Sequence, residues 1–128
     1  MLKRKAKIPL RTDFPHGTCL KAGGKYYFVN GGTIKPILNK RIFDSWSFPL
    51  VVDCHESVLT HFVRAAPLGF RDGTLVRDIS DGKMYLVSRR FRRLIVSPDA
   101  LLMIGKKSSD AVWAAHDEVL LHKKGDDL

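Results

Sequence analysis

The strongest constraint on this chain is that it contains one pattern twice. Gly17-Thr-Cys-Leu-Lys21, Gly24-Lys-Tyr-Tyr-Phe-Val29 and Thr33-Ile-Lys-Pro-Ile-Leu38 return downstream as Gly73-Thr-Leu-Val-Arg77, Gly82-Lys-Met-Tyr-Leu-Val87 and Phe91-Arg-Arg-Leu-Ile-Val96. Gly17 matches Gly73, Tyr27 matches Tyr85, Val29 matches Val87 and Ile37 matches Ile95, with two extra residues ahead of Gly82 as the only slip. A repeat of this length is one supersecondary unit used twice. Within each copy the segments are rich in aromatic and β-branched residues. They are separated by turn residues such as Asn30-Gly31-Gly32 and Ser80-Asp81-Gly82, which predicts three short strands.

The rest of each copy follows the same order. Asn39 is a predicted cap for a short helix over Lys40–Trp46, with Ile42, Phe43 and Trp46 on one side. Leu50-Val51-Val52 reads as a buried fourth strand. Asp53, with Glu56 three residues later, predicts a capping box for a helix from Cys54 to Val63. In the second copy Ser97-Pro98 starts a helix, Gly105 ends it, Ala111-Val112-Trp113 supplies the strand and Ala115 to Lys124 the closing helix, with Val119 and Leu120 facing inward. Sliding the closing helices by 61 residues pairs His55 with His116, Val58 with Val119, Leu59 with Leu120 and His61 with His122. The expected fold is α+β: two tandem β-β-β-α-β-α repeat units packed as one small domain. The boundaries are a basic N-terminal arm over 1–16, a first unit over 17–69 and a second over 70–128 with a short C-terminal tail. Tyr27, Val29, Ile37, Val58, Tyr85, Val87, Ile95 and Val119 form the expected core.

Length and composition are compatible with this. A chain of 128 residues with 45% hydrophobic content and a mean hydropathy of −0.11 can build a globular core. No apolar run approaches the ~18 residues of a membrane span. The start, Met-Leu-Lys-Arg-Lys-Ala-Lys, lacks the apolar segment of a signal peptide, so a cytoplasm is the expected place of folding. Cys19 and Cys54 fall among apolar positions and form no Cys-x-x-Cys; they read as core residues rather than a disulfide or a zinc site. Net charge is +9, and its excess lies early, in Lys3, Arg4, Lys5, Lys7 and Arg11. That balance favours acidic partners, whether protein surfaces or nucleic acid.

Chemistry-bearing patterns are sparse. The histidine pairs are six apart, which is not the spacing that sets two ligands on one helical face; surface or capping positions are expected for them. Gly23-Gly24 and Gly31-Gly32 lack the Lys-Ser/Thr of a phosphate loop, and no nucleophile motif is present. The sharpest feature is Arg89-Arg90-Phe91-Arg92-Arg93 at a predicted hairpin. Guanidinium groups fork onto phosphate or carboxylate and a Phe can stack on a base. Strand alternation sets Arg89, Phe91 and Arg93 on one face and Arg90 and Arg92 on the other. A plain solvated hairpin with Phe91 in the core is the competing description.

Asp72-Gly-Thr-Leu-Val-Arg77, Lys83-Met-Tyr-Leu-Val87, Arg92-Arg-Leu-Ile95 and Ser97-Pro98 resemble a repeat of bacterial and bacteriophage proteins. There it accompanies cell-wall enzymes and virion components. The first copy departs from the pattern at His16, Cys19 and Lys40. The resemblance implies a non-catalytic binding or assembly role and carries no catalytic residue or cofactor. The leading expectation is a bacteriophage virion component of capsid, connector or tail, assembled in the host cytoplasm. It would bind other virion proteins through Lys3, Arg4, Lys5, Lys7, Arg11, Arg89, Arg90, Arg92 and Arg93. The alternative is a nucleic-acid-binding accessory protein using the same arm and hairpin.

Overall fold

The computed structural model describes residues 14–128, and the chain divides into two units, the first ending at Leu68 and the second running Gly69–Leu128. The basic arm, with Lys3, Arg4, Lys5, Lys7 and Arg11, lies outside the described residues.

The first unit opens with an antiparallel meander of β1 (Cys19–Ala22), β2 (Lys25–Asn30) and β3 (Thr33–Ile37). Helix α1 (Lys40–Trp46) begins at Asn39, whose side chain accepts the Ile42 N–H at 3.1 Å, as its sequence signal predicts. Strand β4 (Val51–Asp53) then returns parallel to β1 and β5 (Val63–Arg64) parallel to β3, giving the order β4-β1-β2-β3-β5. Side chains alternate across the sheet. Leu20, Ala22, Tyr27, Val29 and Ile34 form one face, packed with Val58, Leu59 and Phe62. On the other, Tyr26 and Phe28 meet Phe43 and Trp46 of α1, with ring centroids 4.6 and 5.2 Å apart.

The second unit has the same topology. It contains β6 (Leu75–Asp78), β7 (Met84–Ser88), β8 (Phe91–Leu94), α2 (Pro98–Met103), β9 (Val112–Ala114), α3 (His116–Val119) and β10 (Lys123–Lys124). Its sheet order is β10-β8-β7-β6-β9. Individual hydrogen bonds recur: Gly17 N–H to the Val29 carbonyl at 2.8 Å becomes Gly73 N–H to Val87 at 2.7 Å. At the far end, Leu68 N–H to Pro36 becomes Leu128 N–H to Leu94, both 2.9 Å. The chain is thus an α+β protein of two like units.

The closing segments differ from expectation. In the first unit the helix predicted over Cys54 to Val63 is a 3-10 turn over Glu56–His61, and its cap is His55, which accepts the Ser57 N–H, rather than Asp53. In the second, α3 stops at Val119 and the chain re-enters the sheet as β10, so the helix predicted to Lys124 is cut short and Leu120 is exposed. The cause is the parallel strand at the end of each unit, whose ladder bonds replace a longer helix. The register also corrects the alignment. Phe62 N–H bonds the Leu59 carbonyl as His122 N–H bonds that of Val119, and the Phe14 and Phe62 rings meet at 6.4 Å as those of Phe70 and His122 do at 6.2 Å. Leu59 therefore corresponds to Val119, Val58 to Glu118 and Phe62 to His122, one residue away from the expected pairing. Of the expected core, Tyr85 and Ile95 are only half-buried; the other six positions are buried. Both cysteines are free, and burial pushes the Cys19 thiol up to about 11.

Candidate functional site: a basic turn under constraint

The β7–β8 hairpin closes through Arg89 and Arg90, between the paired Ser88 and Phe91. Both arginines are left-handed, with φ of 51° and 71°. For a residue with a Cβ this conformation costs about 1–2 kcal/mol, which is why two-residue hairpin turns favour Asn and Gly. The first unit obeys that preference: Gly31-Gly32 close the equivalent hairpin between Asn30 and Thr33. The second unit has replaced two glycines with two arginines.

Two side chains hold the replacement in place. Asp72 Oδ1 accepts the Arg90 N–H at 2.9 Å, and His122 Nδ1 lies 2.8 Å from the Arg90 carbonyl. His122 Nε2 accepts the Phe70 N–H at 2.9 Å. A backbone N–H can only donate and a carbonyl can only accept, so the proton sits on Nδ1 and the ring is neutral. Burial of the ring, 2% exposed, pushes its pKa below the usual histidine value, helped by the Arg92 charge; its bond to Arg90 and the Asp72 charge oppose this. The first unit has neither support: His16 and Phe62 occupy those positions. The expectation of surface or capping positions for the paired histidines holds for His55, His61 and the largely exposed His116 and fails for His122.

The arginines predicted as one cluster have different roles. Arg92 faces inward opposite Val87. Its guanidinium lies over the Tyr85 ring, 5.9 Å from the centroid, and donates to the His122 carbonyl. It replaces Ile34, which is opposite Val29 in the first unit, and this explains the looser burial of Tyr85. Arg93 Nε donates to the Asp126 carbonyl at 2.9 Å. Phe91 is 43% exposed rather than in the core, because its partner Ser88 lies on the outer face. Arg89, Phe91 and Arg93 line one open groove of about 650 Å³ with Ser88, Lys124, Gly125 and Asp126. Arg90 sits exposed at the tip.

Aligned on the observed register, the inner face of the second unit is polar at four places where the first is apolar. Asp78 stands for Ala22, Arg92 for Ile34, Glu118 for Val58 and His122 for Phe62. Asp78 is fully buried. Its Oδ1 accepts the Ser80 N–H at 2.8 Å and hydroxyl at 2.6 Å, and Oδ2 lies 2.7 Å from His116 Nδ1. Burial acts to raise its carboxyl, but these bonds outweigh burial and its pKa lies below the ordinary range. Glu118 Oε1 accepts the Ala115 N–H at 3.0 Å, starting α3. Sequence reasoning passed over Asp72, Asp78, Glu118 and His122 as site-forming residues. The aligned copies held a signal for them, but only in the correct register.

Among the described residues no group of three or more His, Cys, Asp or Glu is placed to hold a metal, and no helix is long and apolar enough to cross a membrane. Comparison with protein-family models, curated proteins and solved structures finds no match to this chain.

Proposed function

We propose that this chain is a non-catalytic assembly protein, a component of a bacteriophage virion, and that it docks on other virion proteins through its second unit. The observation that supports a docking role is the Arg89-Arg90 turn. Its geometry opposes local preference and is held by Asp72 and His122, which have no counterpart in the sister unit. Strain that a fold does not need, and that the surroundings stabilise, marks places kept for function. The side chains so presented are anion receptors, with exposed Phe91 beside them as an apolar anchor. Leu102 and Met103 on α2, 75% and 87% exposed, add apolar surface of the kind assembly interfaces use. The virion setting comes from the resemblance of the repeat to those of virion proteins. Particles purified by density-gradient centrifugation and analysed by mass spectrometry should contain the chain in fixed stoichiometry. Its absence from both mature particles and assembly intermediates would refute the proposal.

The nucleic-acid reading is favoured by one observation, the exposed Phe91 ring flanked by Arg89 and Arg93. It predicts a steep fall of affinity with salt, with a logarithmic slope of roughly −0.9 per phosphate contacted on duplex DNA. A slope near zero would exclude it.

A further inference from the structure

We infer that the groove beside Phe91 takes an acidic, extended peptide segment of a partner protein, its carboxylates on Arg89 and Lys124 in the groove and on Arg90 at the adjoining turn tip, and an apolar side chain on the Phe91 ring. This rests on reading the turn as a binding site and names what binds there. The charge pattern favours a peptide over a phosphate chain. Arg89, Arg90, Lys123 and Lys124 are exposed and cationic, with Arg93 half-buried beside them, but Asp126 lines the same groove and Asp127 follows it. A nucleic-acid strand carries a charge at every residue and would meet those carboxylates unfavourably. A peptide can match cations with Glu or Asp and skip the acidic positions.

The geometry agrees. Each guanidinium presents a planar fork that fits a carboxylate with two parallel hydrogen bonds. The turn fixes the Arg90 backbone before any ligand arrives, because Asp72 and His122 hold it at its N–H and its carbonyl. Such preorganisation lowers the ordering cost of binding. An extended acidic segment is also already accommodated next to the groove. Gly125 N–H bonds the Arg92 carbonyl and Leu128 N–H that of Leu94, both at 2.9 Å, so the Gly-Asp-Asp-Leu tail runs alongside β8.

The sister unit supplies the test. Arg89→Gly/Arg90→Gly installs the residues that close the same hairpin in the first unit, so it removes both ligand-binding arginines while favouring the fold. Fluorescence anisotropy at 0.15 M salt would compare the full chain and this variant, with a labelled Glu-Glu-Leu-Glu-Glu-Leu hexapeptide and a labelled dT oligomer of equal charge as probes. The expected result is that wild type binds the peptide more tightly than the oligomer. The variant should lose at least roughly tenfold in peptide affinity, the scale set by losing charge-assisted pairs, with thermal unfolding confirming that it is folded. Equal peptide binding by both proteins, or no peptide binding by wild type, would overturn the inference. Tighter binding of the oligomer, lost in the variant, would assign the groove to nucleic acid instead. Incorporation of the variant into particles at the wild-type level would sink this inference while leaving the assembly role standing. Absence of the wild type from particles counts against the assembly role alone.

Discussion

Replacing His122 with Phe tests the support beneath the basic turn, because it installs the residue of the sister unit. Two hydrogen bonds disappear, one from His122 Nδ1–H to Arg90 and one from Phe70 N–H to Nε2. The Arg90 carbonyl is at an exposed turn and can turn to water. The Phe70 N–H is buried, and leaving a buried donor unpaired costs about 1–3 kcal/mol. A phenyl ring in place of imidazole recovers about 1 kcal/mol of apolar burial, so the net loss at pH 7.5 should be about 0–2 kcal/mol. The pH dependence is the sharper readout. The folded-state pKa of His122 lies below its ordinary value of 6.5. Above that value both states are neutral and the contribution is fully present. As pH falls below it the unfolded chain takes up the proton first, and stability drops by at most about 1.4 kcal/mol per pH unit until the folded pKa is reached. Wild type should therefore weaken between pH 6.5 and 5 more steeply than His122→Phe, and the two should converge. Asp78, also depressed, acts only below its own ordinary value of 3.8, outside this window. Urea unfolding followed by Trp113 fluorescence in a Trp46→Phe background reports the second unit. Equal slopes in both proteins over that range would refute a buried neutral His122.

Other expectations follow from the same packing. Arg89→Gly/Arg90→Gly should raise stability by about 1 kcal/mol, the relief of two left-handed side chains less the backbone entropy glycine adds; calorimetry showing a clear loss would contradict the strain. Leu20→Ala, at a fully buried position, should cost about 2–5 kcal/mol in a denaturant titration. Gly69→Ala would put a Cβ 2.5 Å from the His122 ring and should cost about 1–3 kcal/mol; unchanged melting would mean that the ring gives way freely. A thiol reagent at pH 8 should modify Cys54, which is partly exposed, well before Cys19, whose buried thiol stays protonated.

What the sequence disclosed was what is coded locally. Tyr27, Val29, Tyr85 and Val87 show strand alternation directly, and Asn39 and Ser97 are caps within three residues of the N–H they satisfy. The closing segments were misjudged because both copies contain an apolar stretch in which Val and Leu align equally well in two registers. Only the backbone bonds and ring contacts of the folded units decide between them. Arg89 and Arg90 were visible as charge, and Gly31-Gly32 stood opposite them in the repeat. The strain itself was not visible, since Asp72 and His122 lie 18 and 32 residues from Arg90 and meet it only through the fold. Arg92 looked like its neighbours because sequence alone did not show that its side of β8 carries the core.

Each five-stranded sheet ends in strands of only two or three residues: β4 and β5 in one unit, β9 and β10 in the other. An edge that short offers too few unpaired backbone groups to template a further strand, a common way in which proteins limit fibrillar aggregation. The assembly role proposed above would gain from that, since copies held at high local concentration would not seed cross-β growth. Contacts would be left to side chains on turns and helices, where sequence rather than backbone selects the partner.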